Sequence, residues 1–430
     1  MTLHACLVRI RASRWSLRGA LAALLVVGAA ATSVSCVGAR VDLDPQFYGD
    51  PGSDAAQRRL AADMADFAFA MHRSLLATSP HANIVTAPQA VAGPLTALYS
   101  GAIGPSRLHF ERALSLRQGG SALHETMGAL HRRASGTAGA DLHGMIWHPA
   151  DVPLNEGSAN LIQERYGIPV APQDCRGSAA RCRQAINDWI QEHTDGVVRD
   201  LFSGRTPRRS TSLLLTTSGA LDATWSQPFR VLGTFDQSFA VPGTSGVPVP
   251  TMRQMSNQLN GTVDGHRFVD LGLADGRFAA TFVLPATTLE ALEAELTGSL
   301  YTRILRALAA GPVDVKLPRV TINQQHYLTE PLRSLGLTLP LREGRADLSG
   351  LGGDIRQLWL TDVLQHAALR VDEHGVSSNG PSNGGGTTDF IELDDRTTMT
   401  EYVFDRPFLV IVRHVETSSI VLLARVVDPR

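Results

Sequence analysis

Lysine is almost absent from the 430-residue chain: Lys316 stands alone against 38 arginines. Schiff-base catalysis, the Walker P-loop and the S-x-x-K penicillin-recognising motif each need a lysine in a set context. Lys316 sits in VDVKLPRV, with Val313 at the serine position. Cysteine is scarce too, at four residues, without a C-x-x-C or H-x-x-x-H partner nearby to complete a zinc site. No block of one charge exists. Acidic residues number 41 and basic ones 39, and the basic ones gather only in pairs such as Arg132-Arg133 and Arg208-Arg209, which argues against a nucleic-acid surface. Nor does any apolar run exceed the 13 residues Gly19–Ala31, about 20 Å of helix where a bilayer core needs about 30 Å. What is there is 43% apolar and 19% charged residues, enough for a large core and too evenly mixed for disorder.

The short apolar run follows Arg9, Arg11, Arg14 and Arg18 with no acidic residue before it, which reads as a signal peptide over residues 1–36. It ends in Ser33-Val34-Ser35-Cys36, which resembles a bacterial lipobox, so Cys36 is the candidate for lipidation and membrane attachment. Free secretion and a retained anchor are the alternatives. The expected location is extracellular or attached to the cell envelope. Residues 37–60 read as a tether, Pro/Gly/Asp-rich over Asp42–Asp54, and 61–430 as one domain. Cys6 leaves with the signal. Cys175 and Cys182, with six residues between them in an exported chain, are a candidate disulfide worth about 2 kcal/mol through loop closure; the alternative is two free thiols in a surface turn.

Met64, Phe67, Met71 and Leu75 fall at helical spacing, with His72 at the solvent edge of their stripe. Asn160–Tyr166 and Cys182–Leu201 read as further helices. Strand-like runs then take over: Leu213–Thr217, Phe268–Leu271, Ala279–Leu284, Val313–Ile322, and a hairpin of Leu409–Arg413 with Ile420–Val427. Helices early and strands late, without βα alternation, indicate an α+β fold. Ser377–Thr388, SSNGPSNGGGTT, is low-complexity and opens a loop of more than 20 residues, a length usually functional or disordered.

Enzyme signatures lack their context. Gly380-Pro381-Ser382-Asn383-Gly384 matches G-x-S-x-G, but Gly384–Gly386 precludes the helix a nucleophile elbow needs. His143 and His148 lie five apart on one strand and so face opposite ways, and His124-Glu125 lacks the second histidine of H-E-x-x-H. No carboxylate pair stands out as acid and base.

A series of blocks carries a different signal. Ile186-Asn187-Asp188-Trp189 with Thr194 and Gly196, then LDATWSQPF with Trp225, Pro228 and Phe229, precede Val249-Pro250-Thr251-Met252 and Phe282-Val283-Leu284-Pro285. Leu317-Pro318-Arg319-Val320, Leu328–Gly336 and Ala346-Asp347-Leu348-Ser349-Gly350-Leu351 follow, and then Phe404, Arg406-Pro407-Phe408 and Arg425–Pro429. In that order they resemble the serpin family of suicide protease inhibitors over about Ala62–Pro429, with Ala424 replacing a signature glycine. The resemblance implies an α+β serpin-like fold of three β-sheets and eight or nine helices with an exposed reactive-centre loop. It also implies no catalytic residue, no cofactor, no metal, and a monomer whose partner is a trypsin-like serine protease. In that mechanism the protease cleaves the loop, forms an acyl-enzyme, and is dragged across the inhibitor as the loop inserts into the main sheet.

By the same resemblance the hinge is Val371–Gly375, with Glu373 and Gly375 matching, and the loop runs over about 376–401. Val376, Ser378 and Gly380 would face inward and are small enough. Pro381 has no N–H for a central strand, and Gly384, Gly385 and Gly386 add entropy loss without packing. A surface loop that never inserts is therefore the rival expectation. Counting fourteen residues on from Gly375 gives Asp389 as the scissile position, whereas eleven back from Pro407 gives Arg396. Arg396-Thr397 is preferred because arginine suits a trypsin-like protease, with Met399 and Asp389 as fallbacks; the surplus of seven residues is about 23 Å of slack. Under the sheet, family members hold a polar network of an Asn, the two serines of S-P-x-S, a second Asn and a His. Asn83 and Pro88 match, but Ala87 and Ala90 replace the serines, Thr217 the second Asn and Gln365 the His, with His366 one place late. Sheet opening is thus expected to be controlled differently, or not required. The rival function is a non-inhibitory binding or envelope-surface protein whose loop is only a protease substrate.

Overall fold

The computed structural model describes residues 50–136, 139–193, 196, 202, 207–378 and 399–430. The signal segment and Cys36 lie outside them. Helix α1 (Asp54–Leu76) starts where Ser53 accepts a hydrogen bond from the Ala56 N–H and Asp54 meets the positive helix end. Residues 54–60, expected in the tether, are therefore helix, and Ala56 and Leu60 extend the apolar stripe of Met64, Phe67 and Met71 into the core. His72, expected at the solvent edge, is fully buried, with Nε2 2.8 Å from Glu293 Oε1. Two clusters explain this: Met64 and Phe67 face Val91 and Leu95, while Ala65, Ala68 and Phe69 face Tyr301 and Leu423, so α1 is covered on both sides.

After β1 (Ile84–Thr86) come α2 (Pro88–Tyr99), with proline at its first turn, α3 (Pro105–Ala113) and α4 (Gly120–Ser135). Then follow β2 (Ala140–Pro149), α5 (Glu156–Asn160) running into a π-turn, β3 (Val170–Gln173), α6 (Ala179–His193), β4 (Leu213–Leu221) and β5 (Ala223–Thr224). Helix α6 thus begins ahead of the expected Cys182. The strand-rich half comprises β6 (Phe235–Phe239), β7 (Val247–Val263), β8 (His266–Gly272), β9 (Phe278–Leu284), α7 (Leu289–Glu295), α8 (Gly298–Arg306), β10 (Ala309–Pro318), β11 (Val320–Tyr327) and α9 (Thr329–Ser334). The last strands are β12 (Leu360–Val371), β13 (Gly375–Ser377), β14 (Thr400–Val403), β15 (Phe408–His414) and β16 (Ile420–Val426). Val313–Ile322, expected as one strand, is two: β10 ends at Pro318, which has no N–H, and β11 belongs to the other sheet.

One sheet has seven strands in the order β3-β2-β4-β12-β13-β5, with β11 on the other side of β12. In the other, β1-β16-β15-β9-β8-β7-β10-β14 are joined by β6 on β7. The 17-residue β7 serves two groups of partners: its first part pairs with β6 and β10, its last five residues with β8, so hydrogen bonding runs unbroken through both. The hairpin β15–β16 is buried on both faces, which is why it reads as continuous apolar runs. No described helix is long and apolar enough to cross a membrane.

Candidate functional site

The seven-stranded sheet is forked. β4 and β12 run parallel and pair directly from Leu213/Leu360 to Gly219/Ala367. Beyond that they part, and β13 lies in the mouth, antiparallel to both sides: Arg370 opposes Ser377, Val371 and Ala223 oppose Val376, and Thr224 opposes Gly375. The last hinge residue and the first two residues of the predicted loop are thus already strand. Val376 is fully buried in the cluster that holds Leu221, Trp225, Leu369 and Val371. Ser378 then donates through N–H and Oγ to the Asp222 carboxylate, at 2.9 and 3.1 Å. At the far end, Thr400–Val403 pairs parallel with Val313–Lys316. Both ends of the predicted 376–401 segment are thus taken into sheets, and residues 379–398 lie outside the described residues.

The hinge that turns the chain into this fork is tied from three directions. The Asp372 N–H donates to the Gly375 carbonyl (3.1 Å), and Asp372 Oδ1 accepts from the N–H groups of His374 and Gly375. Trp225 donates Nε1–H to the Asp372 carbonyl and its backbone N–H to that of His374, both at 2.8 Å, and the Phe229 N–H reaches Glu373 O at 2.9 Å. The W-x-x-P-F block therefore acts as a clasp on the hinge. Gly375 is required by close approach: a Cβ there would sit 2.0 Å from the Ala223 carbonyl oxygen. The buried Glu373 carboxylate accepts from Arg319 Nε at 3.0 Å to each oxygen, from Arg319 Nη2 at 2.6 Å, and from Thr234 Oγ1. Burial alone would raise its pKa, but the bonds from Arg319 and Thr234 outweigh burial and hold it below the ordinary glutamate value.

A sequence model of the family described as serpin (serine protease inhibitor) matches residues 62–429. The chain belongs to the serpin family. Among its relatives, pig (Sus scrofa) plasminogen activator inhibitor 1 is 26% identical over 402 residues, covering 89% of this chain and 96% of that protein. Rabbit (Oryctolagus cuniculus) corticosteroid-binding globulin is 29% identical over 394 residues, covering 89% and 98%. The solved structure of native protease nexin-1 with heparin shares the fold at a TM-score of 0.77 and 19% identity, covering 87% of this chain and all of that one. The family is described as one of protease inhibitors rather than catalysts, and the two relatives' names, one an inhibitor and one a corticosteroid-binding globulin, show that it also includes binding proteins.

In this serpin the region beneath the fork is built from amides. Gln365 accepts from the Ala87 N–H (3.1 Å), donates to the Ala87 carbonyl (2.8 Å) and lies 3.5 Å from Thr217 Oγ1, which itself donates to Leu364 O. Ala87, Thr217 and Gln365 thus meet as one group. Gly219 is required by close approach: a Cβ on it would lie 2.0 Å from the Ala87 Cβ, so the Ala87 methyl at the start of α2 packs directly on the backbone of β4. Ala90 and the side chain of Asn83 stand apart from the group's hydrogen bonds; Asn83 Oδ1 accepts from the Val427 and Asp428 N–H groups instead. Two members went unseen in the sequence. Gln324 accepts from the Val85 N–H and donates to Asn83 O, and His326 Nε2 lies 2.8 Å from Val85 O. Their signal was the alternation of Ile322, Gln324 and His326 along β11, which places both polar residues on one face.

Arg396, Thr397, Asp389, Pro381, Gly384, Gly385 and Gly386 lie outside the described residues; Met399 lies beside β14. Cys175 and Cys182 are joined by a disulfide, with Cα atoms 4.9 Å apart. His148 is buried and His143 exposed, and among the described residues no group of three His, Cys, Asp or Glu could hold a metal.

Proposed function

We propose that this serpin is an exported, monomeric inhibitor that traps a trypsin-like serine protease by loop insertion. The observation that carries the reading is β13, in which the hinge residue Gly375 and the first two loop residues, Val376 and Ser377, are already seated antiparallel between the parted strands. Continued insertion would replace the direct β4–β12 contact by a middle strand bonded on both edges, the gain that drives β-strand addition. Arg396-Thr397 is the bond assigned to cleavage, since arginine fits a trypsin-like specificity pocket. Export, freely or by lipid at Cys36, accords with the Cys175–Cys182 disulfide, a bond of oxidising compartments. The second reading is a binding or envelope-surface serpin whose loop is only a substrate. It draws on the β4–β12 contact, closed over Leu213–Gly219, and on Pro381 and the three glycines of the loop sequence.

One nick in residues 379–398 decides between them. Insertion raises the thermal midpoint by tens of degrees, and an SDS-resistant complex with trypsin forms that Arg396→Ala abolishes. An unchanged midpoint and no complex leave the binding or envelope-surface reading.

A further inference from the structure

We propose that the Cys175–Cys182 disulfide is a latch that holds α6 across the β4–β12 seam and so limits how fast a strand can enter the sheet. The inference rests on the loop-insertion reading and adds a control element to it. Helix α6 turns Cys182, Ile186 and Ile190 inward, at helical spacing, and these share one buried cluster with Met145 and Trp147 of β2, Leu214 of β4 and Leu364 of β12. Trp189 packs edge-on against Trp147, with ring centroids 6.0 Å apart. The cluster that takes in the apolar face of the helix therefore spans both strands that must separate, on the face opposite the cluster containing Leu213, Leu215 and Val363. A strand arriving between β4 and β12 has to part Leu214 from Leu364 and so disturb the layer in which Ile186 and Ile190 are buried.

What resists that lift is fastened at the N-terminal end of α6. Cys182 lies in the first turn, and its sulfur is bonded to Cys175, just beyond β3. The Cys175 N–H donates to Gln173 Oε1 at 2.6 Å, and Gln173 Nε2 donates to the Ser212 carbonyl, immediately before β4, at 3.0 Å. The bond thus ties the helix to β3 and, through one glutamine, to the base of β4. Farther along the helix, Asn187 Oδ1 accepts from the Phe202 N–H at 3.0 Å. Without the disulfide, the Asp174–Ser178 connection could extend and let the helix end rise; with it, that end is a fixed pivot.

The test uses the full mature protein and reads the rate at which a nicked loop enters the sheet, taken from the growth of the high-melting form with time after cleavage. Cys175→Ala/Cys182→Ala is compared with the parent. Treating the folded parent with a water-soluble phosphine gives the same comparison without mutation: phosphine, water and disulfide become phosphine oxide and two thiols. Both routes should speed insertion about tenfold, equivalent to lowering the barrier by about 1.4 kcal/mol. Equal rates in all three samples would overturn the latch and leave the inhibitor reading standing. Insertion in the reduced or variant protein but not in the parent would support the latch in its strongest form. Absence of insertion in every sample would overturn the inhibitor reading and the latch with it.

Discussion

A Cβ on Gly375 would meet three backbone atoms, the Ala223 oxygen at 2.0 Å, the Thr224 Cα at 2.8 Å and the Ala223 carbonyl carbon at 2.9 Å, so no side-chain rotation can make room. Gly375→Ala must push β13 off β5. The expected loss is about 1–3 kcal/mol, the ordinary range for overpacking, read as a lower urea midpoint together with new proteolytic cuts near Val376–Ser378. Arg319→Ala acts on the same hinge by a different route. It removes three of the hydrogen bonds to a buried carboxylate and leaves Thr234 alone, which should cost about 1–3 kcal/mol. Glu373→Gln should be milder, because no buried charge is stranded. If Arg319→Ala leaves both stability and hinge proteolysis unchanged, the clamp plays no part. Glu373 and Gly375 were legible from the hinge pattern. Arg319 was legible only as a member of an L-P-R-V block, because its partner is 54 residues away and nothing local announces the pair.

At the scale of elements, three side chains from β11 and β12 hold the backbone of Asn83, Val85 and Ala87. Gln324, His326 and Gln365 replace serine hydroxyls on the α2 side by amides and an imidazole reaching across from the sheet. Gln365→Leu should therefore cost about 2–3 kcal/mol, since both the N–H and carbonyl of Ala87 would be left buried without that partner. Thr217→Val removes two long and weak bonds, to Leu364 O and from Gln365, and should cost less than half as much, in the same urea series. Comparable losses for the two would mean that Gln365 is not the principal tie. The substitutions at the serine positions were visible in the sequence, but the compensation was not. It depends on β11 and β12 pairing in register from Val320/Val371 to Tyr327/Leu364, which a single sequence does not reveal. Local periodicity did place α1 and the β15–β16 hairpin. It failed where tertiary covering decided the matter, as at His72, and where proline split one apolar run between two sheets.

At the scale of the whole molecule, acid acts first through histidines far from the hinge. His131, wedged against Gly93 between α2 and α4, and His124, bonded to the Tyr166 hydroxyl at 2.7 Å, both have pKa values pushed down to about 4 by burial, with nearby Arg132 and Arg107 adding to the effect. Burial lowers His326 and His414 as well. In the unfolded chain such histidines titrate near 6.5, so below that pH the unfolded state binds protons the folded state refuses, and stability falls. At about 1.4 kcal/mol per pH unit, His124 and His131 should each contribute roughly 2 kcal/mol of loss between pH 7 and pH 5, levelling off near pH 4. Glu373 behaves differently. Its depressed pKa means the clamp on the hinge survives this range and is lost only as pH falls through a value below the ordinary glutamate one. Neither His124 nor His131 belongs to the hydrogen-bonded group beneath the fork, whereas His326 does, so a nick that allows insertion should leave the share of the pH 7 to pH 5 slope due to His124 and His131 unchanged while the share due to His326 is free to alter. Replacing His131 by Gln should flatten that slope equally in the intact and nicked proteins. A flattening by His131→Gln that differs between the two would instead couple the helical layer to the opening of the sheet.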